Sequence, residues 1–150
     1  MKISNKRTAS KYKRIFFLVS ILIALSTLVL FLFDLTIFAL AGVGAFSLWY
    51  LYFSVADYQY IEYSDERGKV LLRYYKAISF GSKAYHSIEF PQLILQNAHF
   101  ENSIFGKLSD ITFLVRTKKG IAEYPSVSLS AVPFEERLKM KESLDKILRR

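Results

Sequence analysis

The sequence predicts a membrane α-helical hairpin followed by an α+β, mainly β domain. The expected domain is a curved antiparallel sheet, or partly open barrel, of six or seven strands capped by one C-terminal helix. Three observations predict it. Two uncharged apolar runs, each long enough to cross a bilayer, precede Asp57; beyond Asp57 the apolar residues take a strand-like period broken by turn residues; and the last stretch returns to a helical period. Hydrophobic residues make up 52% of the 150, and the excess is concentrated between Ile15 and Val55. The chain is long enough for one modest domain beside an anchor, not for two.

Residues 1–14 form a basic flank expected on the cytoplasmic side. Lys2, Lys6, Arg7, Lys11, Lys13 and Arg14 lie there with no acid among them. Ile15 to Phe33 (IFFLVSILIALSTLVLFLF) is the first apolar run. At 1.5 Å per residue it covers about 28 Å, close to the ~30 Å of bilayer hydrocarbon. Leu35 to Val55 (LTIFALAGVGAFSLWYLYFSV) is the second. A single continuous helix would be about 60 Å long, so the chain must turn near Asp34, whose carboxylate suits the headgroup layer. Ala39-Leu40-Ala41 has the spacing of a signal-peptide cleavage site, but the apolar stretch ahead of it is too long and contains Asp34. Trp49, Tyr50 and Tyr52, with Tyr58 and Tyr60, read as an aromatic belt at the membrane interface. The pairs Ser20/Ala24 and Ala41/Ala45 have the i,i+4 spacing of small residues at a helix contact, either within the hairpin or with another copy.

Two crossings return the chain to the side of its basic flank. By the positive-inside rule both termini are expected in the cytoplasm, with the hairpin in the membrane that bounds it. The net charge of +8 is therefore mostly a topology signal. From Asp57 onward there are 15 Lys/Arg against 12 Asp/Glu, so no nucleic-acid partner is expected.

The strands are expected at Tyr58–Tyr63, Lys69–Ser79, Tyr85–Phe90, Leu93–Phe100, Asp110–Thr117, Ile121–Tyr124 and Val127–Leu129, with a longer loop over Glu101–Ser109. Asp65-Glu66-Arg67-Gly68, Gly81-Ser82-Lys83 and Lys118-Lys119-Gly120 supply turns. A helix over 133–148 follows. Ser130 is a candidate cap, Pro133 lies in the first turn, and Glu135 and Glu136 suit the positive end of the dipole. Phe134, Leu138, Met140, Leu144, Ile147 and Leu148 form its apolar stripe.

Three segments carry a family likeness: the hairpin IEYSDERGKVLLRYYK, the strand HSIEF running into PQLILQ, and the ending VSLSAVPFEERLKMKESLDKIL. On these, the region from about Tyr58 to Leu148 resembles the bacterial pleckstrin-homology-like domains, and the whole layout is similar to small membrane proteins in which two helices precede such a domain. The resemblance implies a scaffold that binds lipids, peptides or proteins, or that oligomerises.

Chemistry-bearing motifs are not found. The chain has no cysteine, which excludes disulfides and thiol chemistry. His86 and His99 are the only histidines, in no metal-ligand spacing, and Gly42-Val-Gly44 lies inside an apolar run. No enzyme, cofactor or metal is expected. Lys69 and Arg73 on one strand face, with Lys118 and Lys119 at a turn tip, are the candidates for contact with anionic lipid headgroups. The leading expectation is a non-enzymatic protein-interaction or self-assembly module. The alternatives are a sensor of anionic lipid and an accessory subunit of a larger membrane complex.

Overall fold

A computed structural model describes residues 1–150. Helix α1 spans Lys6–Leu32 and α2 spans Thr36–Ala56. Between them the chain reverses at Phe33–Leu35, where Asp34 takes a left-handed conformation with φ 57°. The two helices face each other along helically spaced stripes: Phe16, Ser20, Ile23, Thr27 and Leu30 on α1, and Ala39, Gly42, Trp49, Phe53 and Ala56 on α2. They are in close contact at Gly42. A Cβ there would lie 2.4 Å from Thr27 Oγ1, which donates a hydrogen bond to the Ile23 carbonyl. Both helices have the length and hydropathy of membrane spans, and only 6% and 11% of their most apolar windows is buried. Leu32 and Ile37 are 75% and 81% exposed.

The rest of the chain forms two antiparallel sheets and a helix. The first sheet has the order β1-β2-β3-β4, with β1 at Lys2–Ser4, β2 at Gln59–Ser64, β3 at Lys69–Lys76 and β4 at His86–Pro91. The second contains β5 (Leu95–Ser103), β6 (Leu108–Thr117), β7 (Gly120–Glu123) and β8 (Val127–Ser128). There β5 pairs with one edge of β6, while β7 and β8 share the other edge in succession. Helix α3 (Phe134–Leu148) closes the chain.

Period-two alternation sends Ile61 and Tyr63 of β2, Val70 and Leu72 of β3, and Ile111, Phe113 and Val115 of β6 into one core of 16 buried residues. Met140 and Leu144, one turn apart on α3, complete it. Polar groups join α3 to the β2 end: the Tyr63 hydroxyl lies 3.0 Å from Ser143 Oγ, and Ser143 donates to the Asp65 carboxylate.

Several expectations are corrected. In place of one curved sheet of six or seven strands the domain has two sheets of four strands each, and neither closes. The break follows Pro91, which has no N–H to extend a ladder, and a short 3-10 turn at Gln92–Ile94 carries the chain from one sheet to the other. Residues 1–14, the basic flank, also carry regular structure: they supply β1 and the first turns of α1. The expected loop at Glu101–Ser109 is mostly strand, with a turn only at Ile104–Lys107. Strand β3 stops at Lys76. Ser130 does not cap α3; its Oγ accepts from the Ser109 N–H at 3.2 Å, and Pro133 stands at the helix start.

Candidate functional site

The hairpin and the β domain meet in a second buried cluster. Ala9 and Phe16 from α1, Phe53 and Ala56 from α2, and Tyr58, Ala77 and Ala131 from the domain form it. Ala9, Tyr12 and Phe16 lie on one helical face, so α1 continues as helix through the basic residues and brings that face against the domain. The Tyr12 and Tyr58 rings stack at 4.0 Å with a 5° interplanar angle. Phe53 sits 5.1 Å from Phe16 and 5.4 Å from Tyr58, ring centre to ring centre. Burial, followed by the hydrogen bond with the Tyr52 hydroxyl at 3.1 Å, pushes the Tyr58 phenol up, so it remains protonated at neutral pH.

Asn5 locks this arrangement. It is buried, and it is bonded to β2 on three counts: its N–H donates to the Ile61 carbonyl at 3.2 Å, its Nδ2 donates to the Gln59 carbonyl at 2.9 Å, and its Oδ1 accepts from the Ile61 N–H at 2.7 Å. The asparagine side chain thus acts as an extra rung of the ladder between β1 and β2 just where the chain leaves the sheet for α1. Asp57, in a left-handed conformation with φ 45°, makes the turn from α2 into β2.

Beside the junction lies a cleft of about 590 Å³. Its walls are Tyr12 of α1, Tyr52 of α2, Phe105 and Lys107 of the β5–β6 turn, and Phe134 and Arg137 of α3. Arg137 donates from Nη1 to the Gly106 carbonyl at 3.1 Å, and its guanidinium lies 5.8 Å from the centre of the Phe134 ring. Its Nε is buried with no partner. No carboxylate is within ion-pairing distance of it, and burial holds its pKa below the usual guanidinium value. Ile104 and Phe105 both have positive φ, 50° and 53°, which thrusts the Phe105 ring wholly into the open. On another side of the junction, Phe80 lies 6.4 and 6.2 Å from the Phe16 and Phe17 rings.

The basic residues singled out in the sequence lie elsewhere. Lys69 pairs with Glu89 at 3.0 Å. Strand β2 leaves α2 and rises about 3.3 Å per residue, which puts Lys69 roughly 20 Å from the hairpin. Arg73, opposite Glu62 and Ser87, is exposed midway along β3. Lys118 and Lys119 follow the full length of β6, about 30 Å from the junction at its Leu108 end. The four are therefore split between two sheets. Of the small residues, Ser20 lies on the helix–helix face, whereas Ala24, Ala41 and Ala45 are exposed and the contact passes through Ala39 and Gly42. Tyr50 and Tyr52 are partly exposed and Trp49 is half-buried, 4.7 Å from Phe53. Tyr58 belongs to the junction core, and Tyr60 stacks on Tyr75 at 4.7 Å.

His86 stacks on Tyr74 at 5.2 Å, His99 lies 3.3 Å from Glu101, and no three His, Asp or Glu side chains gather in metal-binding proximity. No protein-family model matches the chain, and neither the curated proteins nor the solved structures contain a significant match to it. Sequence reasoning missed Asn5, Tyr12, Phe105 and Arg137. Only Tyr12 left a signal, in its helical spacing from Ala9 and Phe16.

Proposed function

We propose that this chain is a non-enzymatic protein of the bacterial inner membrane. In this reading the hairpin crosses the bilayer and holds a pleckstrin-homology-like domain at the cytoplasmic face, where the domain contacts other proteins or further copies of itself. The observation that carries the reading is a domain fixed to its anchor while its outer strands stay unpaired. β4 pairs only with β3, and β5 only with β6. Unpaired N–H and C=O groups along a strand edge are templates for adding a strand from a partner. The two open sheets and the C-terminal helix support the pleckstrin-homology-like reading of the domain, and the six basic residues ahead of the apolar run support the cytoplasmic orientation.

The lack of cysteine makes the test clean. Single cysteines placed at Ser87 on β4 or Gln96 on β5, both exposed, should give crosslinked adducts of higher mass in native membranes. A monomer alone at both positions would contradict the reading. Protease added outside sealed cells should leave the domain intact, and its digestion there would overturn the orientation.

A further inference from the structure

We propose that the cleft between the hairpin, the β5–β6 turn and the start of α3 binds the phosphate-bearing headgroup of an anionic phospholipid, with Arg137 and Lys107 as its cationic contacts. The inference rests on the reading that the hairpin crosses a bilayer. Three independent features of the site lead to it.

The first is charge. Arg137 is partly buried, lines the cleft and has no carboxylate partner. A guanidinium so placed lacks the anion that its fork of donors is built to hold, and phosphate is the group that fits it. Lys107 adds an exposed ammonium from the turn that also supplies the Gly106 carbonyl to Arg137. The second is height. Tyr12 lies three residues, about 4.5 Å, before Ile15, where the apolar run begins. Tyr52 directly precedes Phe53, which touches Phe16. The cleft therefore opens at the level where hydrocarbon gives way to headgroups. The third is wall chemistry. Tyr12, Tyr52, Phe105 and Phe134 present ring surface beside the two cations, which suits the glycerol and upper acyl chain of a lipid rather than a fully hydrated free anion. Phe105, pushed out by the left-handed turn, is placed to enter the bilayer next to that lipid.

The test uses full-length protein purified in mild detergent and titrated with phosphatidylglycerol or phosphatidylcholine, with bound lipid counted by native mass spectrometry. The wild type should retain phosphatidylglycerol about tenfold better than phosphatidylcholine. Arg137→Gln and Lys107→Glu should each erase most of that preference, and Arg137→Lys should keep part of it. Lys107 is exposed, so its variant reports binding even where Arg137→Gln disturbs the fold. Arg73→Gln and Lys119→Gln, remote from the cleft, should change nothing. An unchanged preference in both Arg137→Gln and Lys107→Glu would overturn the inference. So would displacement of the lipid by inorganic phosphate alone, which would mark a site for soluble anions. Release of the wild type from native membranes by alkaline carbonate would overturn the bilayer reading and this inference together, whereas the lipid results bear on the cleft alone.

Discussion

The hairpin and the β domain are built from the same apolar residue types and use them in opposite ways. In the domain Ile61, Tyr63, Val70, Leu72, Ile111 and Phe113 are fully buried against one another. In the hairpin Leu22, Leu32, Ile37 and Leu48 point outward, and only one stripe of each helix is covered. The domain carries its own apolar interior, while the hairpin leaves most of its apolar surface uncovered and has the length and hydropathy of a membrane span. Between them the junction of Asn5, Tyr12, Phe16, Phe53 and Tyr58 belongs to both, because α1 starts directly after β1 and ends in the hairpin.

The largest expected contrast comes from matched truncations. Phe113→Ala should destabilise the domain by about 3–5 kcal/mol. Leu22→Ala, on the outward face of α1, should leave the domain's unfolding midpoint within roughly 0.5 kcal/mol of the wild type. Denaturant unfolding in detergent micelles compares the two, and equal losses would erase the distinction drawn between the regions.

Asn5→Ala comes next. It leaves the buried Ile61 N–H and Gln59 carbonyl without their partners and should cost about 2–3 kcal/mol. Amide exchange over residues 3–9 should accelerate well beyond that of β3 and β4. If β3 and β4 loosen equally, the Asn5 bonds support the whole first sheet and not the junction alone. Gly42→Leu is expected to cost about 1–3 kcal/mol by overpacking the helix contact at Thr27. That cost should appear as a loosened hairpin, read by crosslinking between α1 and α2, with the domain's unfolding unchanged.

The smallest effects are in pH. Burial raises the Asp65 carboxyl, but hydrogen bonds from the Met1 amine and Ser143 outweigh it, and its folded pKa lies below the usual carboxylate value. Its stabilisation is therefore present above about pH 4 and lost as pH falls through the depressed value. Asp110 runs the other way: burial, then repulsion from Asp57 and Glu101, raises its pKa. Charged Asp110 opposes folding at neutral pH, and that opposition fades as pH drops through the raised value. Asp65→Asn should flatten the acid limb of the stability profile, whereas Asp110→Asn should stabilise slightly at pH 7. An acid limb unchanged in Asp65→Asn would place the acid sensitivity elsewhere.

The gross architecture was legible because it is written in local periods. The uncharged runs before Asp57, the alternation in DITFLVRT and the helical stripe ending at Leu148 each reveal their element without reference to the rest of the chain. What escaped depends on long-range pairing. Lys2–Ser4 is too short to show a period, and it becomes a strand only because Lys2 meets Ser64 and Ser4 meets Glu62. The junction face Ala9-Tyr12-Phe16 has helical spacing but is masked by the charges around it. That Arg137 lacks an acid, and that Phe105 stands out at a left-handed turn, are facts of tertiary placement that no spacing encodes. The separation of the two sheets at Pro91 was visible as a strand end but not as a change of sheet.

Residues 1–16 supply β1, Asn5 and the Ala9-Tyr12-Phe16 face that join hairpin to domain, so the two are expected to move as one unit. Spin labels on cysteines introduced at Leu25 of α1 and Lys119 of the β6–β7 turn, in full-length protein reconstituted into bilayers, measure it by pulsed electron–electron distance spectroscopy. The account predicts a single narrow distance distribution that broadens in Asn5→Ala. A distribution already broad in the otherwise unaltered chain would show a domain swinging on a tether and would contradict it.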